Sequence, residues 1–217
     1  MINGVIFDFD GLIVDTESVW FEAFKEVLFD KHHVELDLSK YSSSIGTGNE
    51  ILFQYFRELV GKDVDCELLD ELAHELYNEK MKKPALREGV IEYLKEAKKM
   101  GLIIGLASSS SREWVTQYLK QLKIIEYFDI INTRNEVKKV KPDPELYINT
   151  LNDCSLNPSE TIAFEDSLNG LIAAKGAGIH CVIVPNDVTR HLPFENHDYM
   201  LDSMSQETLS GITKKFV

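Results

Sequence analysis

The stretch GVIFDFDG, residues 4–11, decides the fold. Its apolar, β-branched run over residues 4–9 reads as a buried strand, and the acids Asp8 and Asp10, followed by Gly11, read as the turn that ends it. Working outward, the pattern changes twice. Between residues 16 and 83 apolar side chains recur at helical spacing: Val19, Trp20, Ala23, Phe24, Val27 and Leu28 first, then residues 51–60 and 68–81. A polar Ser/Gly stretch at 42–49 interrupts them, and no strong strand signal appears. Beyond Pro84 the elements alternate. Helices are predicted at 90–100, 113–122, 144–152 and 169–176, with strands at 102–107, 128–132, 161–164 and 181–184. Such alternation predicts an α/β fold with a parallel sheet of right-handed βαβ units, spanning residues 1–15 and 84–217. Residues 16–83 form an all-helical insert. The tail after Val188 gives no clear pattern.

The totals fit one core domain with a small insert: 217 residues, 44% hydrophobic. No apolar run approaches the roughly 20 residues that span a bilayer. The first residues lack the basic start of a signal peptide. Cys66, Cys154 and Cys181 are few and widely spaced, which suits free thiols in a reducing cytoplasm. A net charge of −13 repels nucleic acid, so neither nucleic acid nor membrane is an expected partner. A site for an anionic ligand must then bring its own positive charge.

Four constellations carry chemistry. Asp8 and Asp10 stand at the carboxyl edge of the predicted sheet, where ligands bind in open α/β folds. Two neighbouring carboxylates can divide labour between an ionised nucleophile or metal ligand and a proton donor. Taken alone, an Asp-x-Asp pair more often caps a helix. Ser108 to Ser111 follow a strand and could offer hydroxyl and N–H groups to an anion, although serines before a helix are also ordinary caps. Lys141 lies in KPDP (141–144), where two prolines make a stiff lead-in to a helix; a surface lysine in a proline turn is the plainer reading. Glu165-Asp166-Ser167 ends another strand and offers hard oxygen ligands suited to Mg²⁺, or a helix cap. Each signal is modest. Their shared placement near strand ends points to Mg²⁺-assisted phosphoryl transfer by a covalent route.

The segments IFDFDGLIVDTE (6–17), LASSSS (106–111), KPDPELY (141–147) and FEDSLNGLIAAKGAG (164–178) together resemble the haloacid dehalogenase-like hydrolase superfamily, most closely its β-phosphoglucomutase-like phosphatase subgroup. The resemblance implies a Rossmann-like core with an inserted helical cap that closes over the site and sets selectivity. It implies Asp8 as nucleophile forming an aspartyl-phosphate and Asp10 as acid and base. It further implies Ser108 and Lys141 on the phosphoryl oxygens. Mg²⁺ would be held by Asp8, the Asp10 carbonyl and Asp166, with Glu165 direct or through water. Gly11 and Ser109 join the expected phosphate contacts, and Thr47 and Asn49 those of the cap. The expected partner is a small phosphate ester as substrate, and the expected form of the protein is a cytoplasmic monomer.

Two departures bear on the reaction. Mutases of the subgroup carry a histidine early in the first cap helix, where Trp20 stands, and a phosphate-gripping arginine in the first cap loop, where Asn49 stands. Transfer to water is therefore favoured. A β-phosphoglucomutase-type sugar-phosphate mutase is the alternative, and a non-catalytic phosphate-ester binding protein a further one.

Overall fold

The computed structural model describes residues 1–42, 44 and 49–216, with Asn49 described by its backbone only. The chain divides into two compact units. The first comprises Met1–Asp15, Ala85–Pro185 and the residues from Pro193 onward; the second comprises Thr16–Pro84 and Asn186–Leu192.

In the first unit, among the described residues, six strands form one sheet in the order β3-β2-β1-β4-β5-β6. They are β1 (Gly4–Phe7), β2 (Ile103–Ala107), β3 (Ile130–Asn132), β4 (Thr161–Glu165), β5 (His180–Ile183) and β6 (Tyr199–Met200). Every neighbouring pair is parallel. This is the α/β fold with the parallel sheet that the alternation predicts and the Rossmann-like core that the resemblance implies. The last strand, β6, lies in the tail that gave no pattern; two residues are too few to show a period.

All four residues of β1 are buried, as a central strand covered on both faces requires. Phe7 pairs with Leu106 on one side and Phe164 on the other, and its ring stacks on Phe164 at 5.2 Å. The strand order reverses between β1 and β4, the switch point at which open α/β sheets bind ligands.

The second unit is helical. It holds α1 (Thr16–His32), α2 (Leu38–Ser42), α3 (Asn49–Val60) and α4 (Cys66–Lys80). Trp20 on α1 stacks on Tyr77 of α4, with ring centroids 4.1 Å apart, and meets His74 edge-on at 4.7 Å. Ser42 Oγ donates to the Val188 carbonyl at 2.6 Å and ties in the 186–192 segment. No helix among the described residues is long and apolar enough to cross a membrane.

The remaining helices, α5 (Val90–Met100), α6 (Arg112–Gln121), α7 (Glu145–Cys154), α8 (Leu168–Gly176) and α9 (Leu209–Thr213), belong to the first unit. The three cysteines are buried free thiols.

Candidate active site

Sheet register assembles the site. Phe7 lies opposite Leu106 and Phe164, so the next rung brings Asp8 beside Ala107 and Glu165. The Asp8 N–H continues the ladder by donating to the Phe164 carbonyl at 3.1 Å. Lys141 reaches this rung from the loop before α7. Its Nζ donates to Asp8 Oδ1 at 2.5 Å, to the Ala107 carbonyl at 2.7 Å and to Glu165 Oε1 at 2.6 Å. The three acceptors match the three protons of an ammonium. The loop is held by its own motif: Glu145 accepts the N–H groups of Lys138 and Lys139, and Asp143 accepts that of Glu145.

Glu165 is fully buried. Oε1 accepts from Tyr147 Oη at 2.6 Å as well as from Lys141, and Oε2 accepts the Asp166 N–H and Ser167 Oγ, each at 3.3 Å. Ser167 caps α8 by accepting the Gly170 N–H. Gly170 lets the helix approach this carboxylate. A Cβ built there would lie 1.9 Å from the Glu165 carboxyl carbon.

Carboxylate oxygens of Asp8, Glu165 and Asp166 come within 4.8 Å of one another, all from buried residues. Three carboxylates against the single ammonium of Lys141 leave a formal charge of two minus. Burial, and after it the Glu165 charge, push the Asp8 carboxyl up to about 8, against the pull of Lys141. The two carboxylates drive the Lys141 amine upward despite its burial. Hard oxygen donors carrying an excess of two negative charges fit a divalent cation such as Mg²⁺.

Asp10 is turned differently. Its Oδ2 accepts from Ser110 Oγ at 2.7 Å and Ser108 Oγ at 3.3 Å, and its Oδ1 accepts from Trp114 Nε1 at 3.0 Å. Burial pushes its carboxyl up, while these three donors pull it down. The turn that carries it is closed by the Gly11 N–H donating to the Val14 carbonyl at 2.8 Å. Gly11 has φ +80°, a backbone state that L side chains rarely adopt. Its carbonyl accepts from Arg87 Nη1, which also holds the Val184 carbonyl. Both backbone groups of Gly11 are thus engaged in holding the turn.

The structure therefore brings Asp8, Lys141, Glu165 and Asp166 into one cluster, with Asp10 and Ser108 on the adjoining strand ends. Ser109 is half-buried in the same loop. Thr47 and the side chain of Asn49 lie outside the described residues. Sequence reasoning missed Ser110, Trp114, Tyr147 and Arg87. Ser110 stood in the serine run read as an anion site, with nothing to tie it to Asp10; Tyr147 ended the KPDPELY motif, and neither Trp114 nor Arg87 had a local signal.

The sequence pattern described as haloacid dehalogenase-like hydrolase matches residues 5–184. The chain belongs to this family. As a haloacid dehalogenase-like hydrolase, it is 46% identical over 211 residues to a Bacillus subtilis protein named "Putative phosphatase YhcW", covering 97% of this chain and 96% of that one. It is 31% identical to the phosphorylated carbohydrates phosphatase of Thermotoga maritima, covering 82% of each. Among solved structures it resembles CbbY from Rhodobacter sphaeroides in complex with phosphate, with a TM-score of 0.73 at 30% identity, covering 97% of this chain and 99% of that one. Within the haloacid dehalogenase-like hydrolases it falls in the β-phosphoglucomutase-like subgroup.

Proposed function

We propose that this hydrolase is a Mg²⁺-dependent phosphatase that cleaves a small phosphate monoester, a phosphorylated sugar or polyol, through an aspartyl-phosphate on Asp8. The observation that carries the reading is the Asp8–Lys141–Glu165–Asp166 cluster at the switch point of the sheet, with Asp10 one turn away.

In this reading Asp8 attacks phosphorus. Lys141 fixes the Asp8 carboxylate and offsets negative charge on the phosphoryl oxygens. Asp10 gives a proton to the departing alcohol oxygen and later removes one from the water that attacks the aspartyl-phosphate. Ser108 and Ser109 supply contacts to the phosphoryl group. Asp8, Asp166 and the Asp10 carbonyl are the groups that would hold Mg²⁺. When bound, the ion neutralises charge that accumulates on the transferring group. Glu165, occupied by Lys141 and Tyr147, serves chiefly to hold the lysine.

The relatives named as phosphatases support hydrolysis, and the name of the Thermotoga maritima protein supports a phosphorylated carbohydrate as substrate. Residues 1–15 with 84–217 act as the catalytic core in this reading, and residues 16–83 as a cap that sets selectivity. Trp20, stacked on Tyr77, offers no imidazole, which favours water over a sugar phosphate as acceptor.

Hydrolysis of para-nitrophenyl phosphate in the presence and absence of Mg²⁺, in wild type and Asp8→Asn, tests the proposal. Turnover is expected only with the ion and to fall by more than about 10³-fold in the variant. Normal turnover in Asp8→Asn removes Asp8 as nucleophile. Conversion of a sugar 1-phosphate to its 6-phosphate, primed by a bisphosphate, replaces the phosphatase with a mutase.

A further inference from the structure

The carboxyl of Asp10 is gripped from both sides by groups of different chemistry. Trp114 Nε1 meets Oδ1 at 3.0 Å, and the hydroxyls of Ser110 and Ser108 meet Oδ2. An indole N–H can only donate, whereas a hydroxyl can donate or accept. Oδ1 is therefore committed as an acceptor. Oδ2 faces two hydroxyls able to reverse their role and is the oxygen that can carry a proton without breaking the arrangement.

The direction of the indole is itself fixed. Trp114 lies in the first turn of α6, and its own N–H donates to the capping Ser111 Oγ at 3.3 Å. Its ring packs edge-on against buried Tyr118 with centroids 4.5 Å apart, and Tyr118 in turn packs on Phe9, the residue between the two aspartates. The helix that positions the tryptophan is thus braced against the same turn that presents Asp10.

We propose that Trp114 is a positioning residue for Asp10, orienting its carboxyl for protonation of the leaving oxygen. The inference rests on Asp10 being the proton donor. In that step a carboxylate oxygen of Asp8 bonds to phosphorus and the ester P–O bond breaks. The departing alkoxide oxygen takes the proton of Asp10, which is left as carboxylate. An alkyl alcohol leaves poorly without that proton, whereas a nitrophenolate leaves without it. Trp114 therefore governs how strongly transfer depends on the leaving group.

The experiment compares kcat/KM, which covers the steps through alcohol release, for glycerol phosphate and for dinitrophenyl phosphate. It uses Mg²⁺-saturated wild type, Trp114→Phe and Asp10→Asn. Trp114→Phe is expected to lose about ten-fold more on the alkyl than on the aryl ester, and Asp10→Asn to show the same selectivity at about 10²- to 10⁴-fold. Equal losses on both esters in Trp114→Phe, or none, overturn the proposal. Selectivity in Asp10→Asn but not in Trp114→Phe removes Trp114 alone; its absence from Asp10→Asn removes the proton-donor reading beneath it. If Trp114→Phe does not fold, the Trp114 indole N–H resonance of the wild type serves instead. It is expected to move in Asp10→Asn while that of Trp20 stays, and an unmoved Trp114 resonance overturns the proposal.

Discussion

Gly170→Ala is the substitution on which local and tertiary reasoning disagree most sharply. By helix propensity alone, alanine inside α8 should stabilise the chain by about 1 kcal/mol. The new Cβ, however, would lie within 2.1 Å of the carboxyl carbon and both carboxyl oxygens of Glu165. A surface glutamate would swing aside at little cost. Here Glu165 is fully buried and bound to Lys141 and Tyr147 at 2.6 Å each. Moving it breaks a buried ion pair, which costs about 3–5 kcal/mol when one partner is lost. Part of that is recovered if the carboxylate keeps one bond, and the propensity gain offsets about 1 kcal/mol more. A net loss of about 3 kcal/mol corresponds to a fall in Tm of roughly 6–12 °C for a chain of this size. Thermal unfolding followed by circular dichroism measures it, with phosphatase turnover read in parallel. The reasoning is refuted by a variant that melts at or above the wild-type temperature with full turnover.

Tyr147→Phe removes one donor from Glu165 Oε1 and is expected to lower stability by about 1–3 kcal/mol in urea titration. It should change the Mg²⁺ concentration for half-maximal activity less than Asp166→Asn does. Arg87→Met strips the Gly11, Val184 and Pro185 carbonyls of their shared donor, and a loss of about 2–4 kcal/mol should appear in the same titration. Without divalent cation the folded chain keeps a proton on Asp8 up to about pH 8, while the unfolded chain releases it near 3.8. The native state thus binds more protons between those values. Stability should fall as pH rises across them, by at most about 1.4 kcal/mol per pH unit. Added Mg²⁺ should therefore raise Tm more at pH 8 than at pH 5, and a scanning calorimeter reading the opposite trend contradicts the charge argument.

The parallel sheet was legible because each long strand is a compact apolar run between helices, and β1 announced itself by ending in two acids. The two-residue β6 and five-residue α2 carry too little pattern to show a period. In the site, residues set by local chain geometry could be read, among them the acids at the strand ends and the lysine just ahead of two prolines. What could not be read is set by contacts between distant segments. Trp114 and Asp10 are 104 positions apart, and only the fold makes an indole their meeting point. The serine run illustrates both levels at once. Ser111 is the ordinary helix cap that its position suggests, while Ser108 and Ser110 hold a catalytic candidate that no local rule connects to them. Glu165 offered itself in sequence as a cation ligand; in three dimensions its bonds run chiefly to Lys141 and Tyr147.

The central place of β1 has a consequence for how the protein is made. On the ribosome this strand appears before either neighbour: β2 starts at Ile103 and β4 at Thr161. At about 5–20 residues per second, the apolar segment Gly4–Phe7 waits roughly 5–20 s for its first sheet partner. During that interval the nascent chain can complete only helices, those of Thr16–Pro84 and then α5. Asp8 then has no counter-ion until Lys141 has been synthesised. A chaperone that shields short apolar segments would find its binding window there, and slowing translation between residues 84 and 103 should lengthen it.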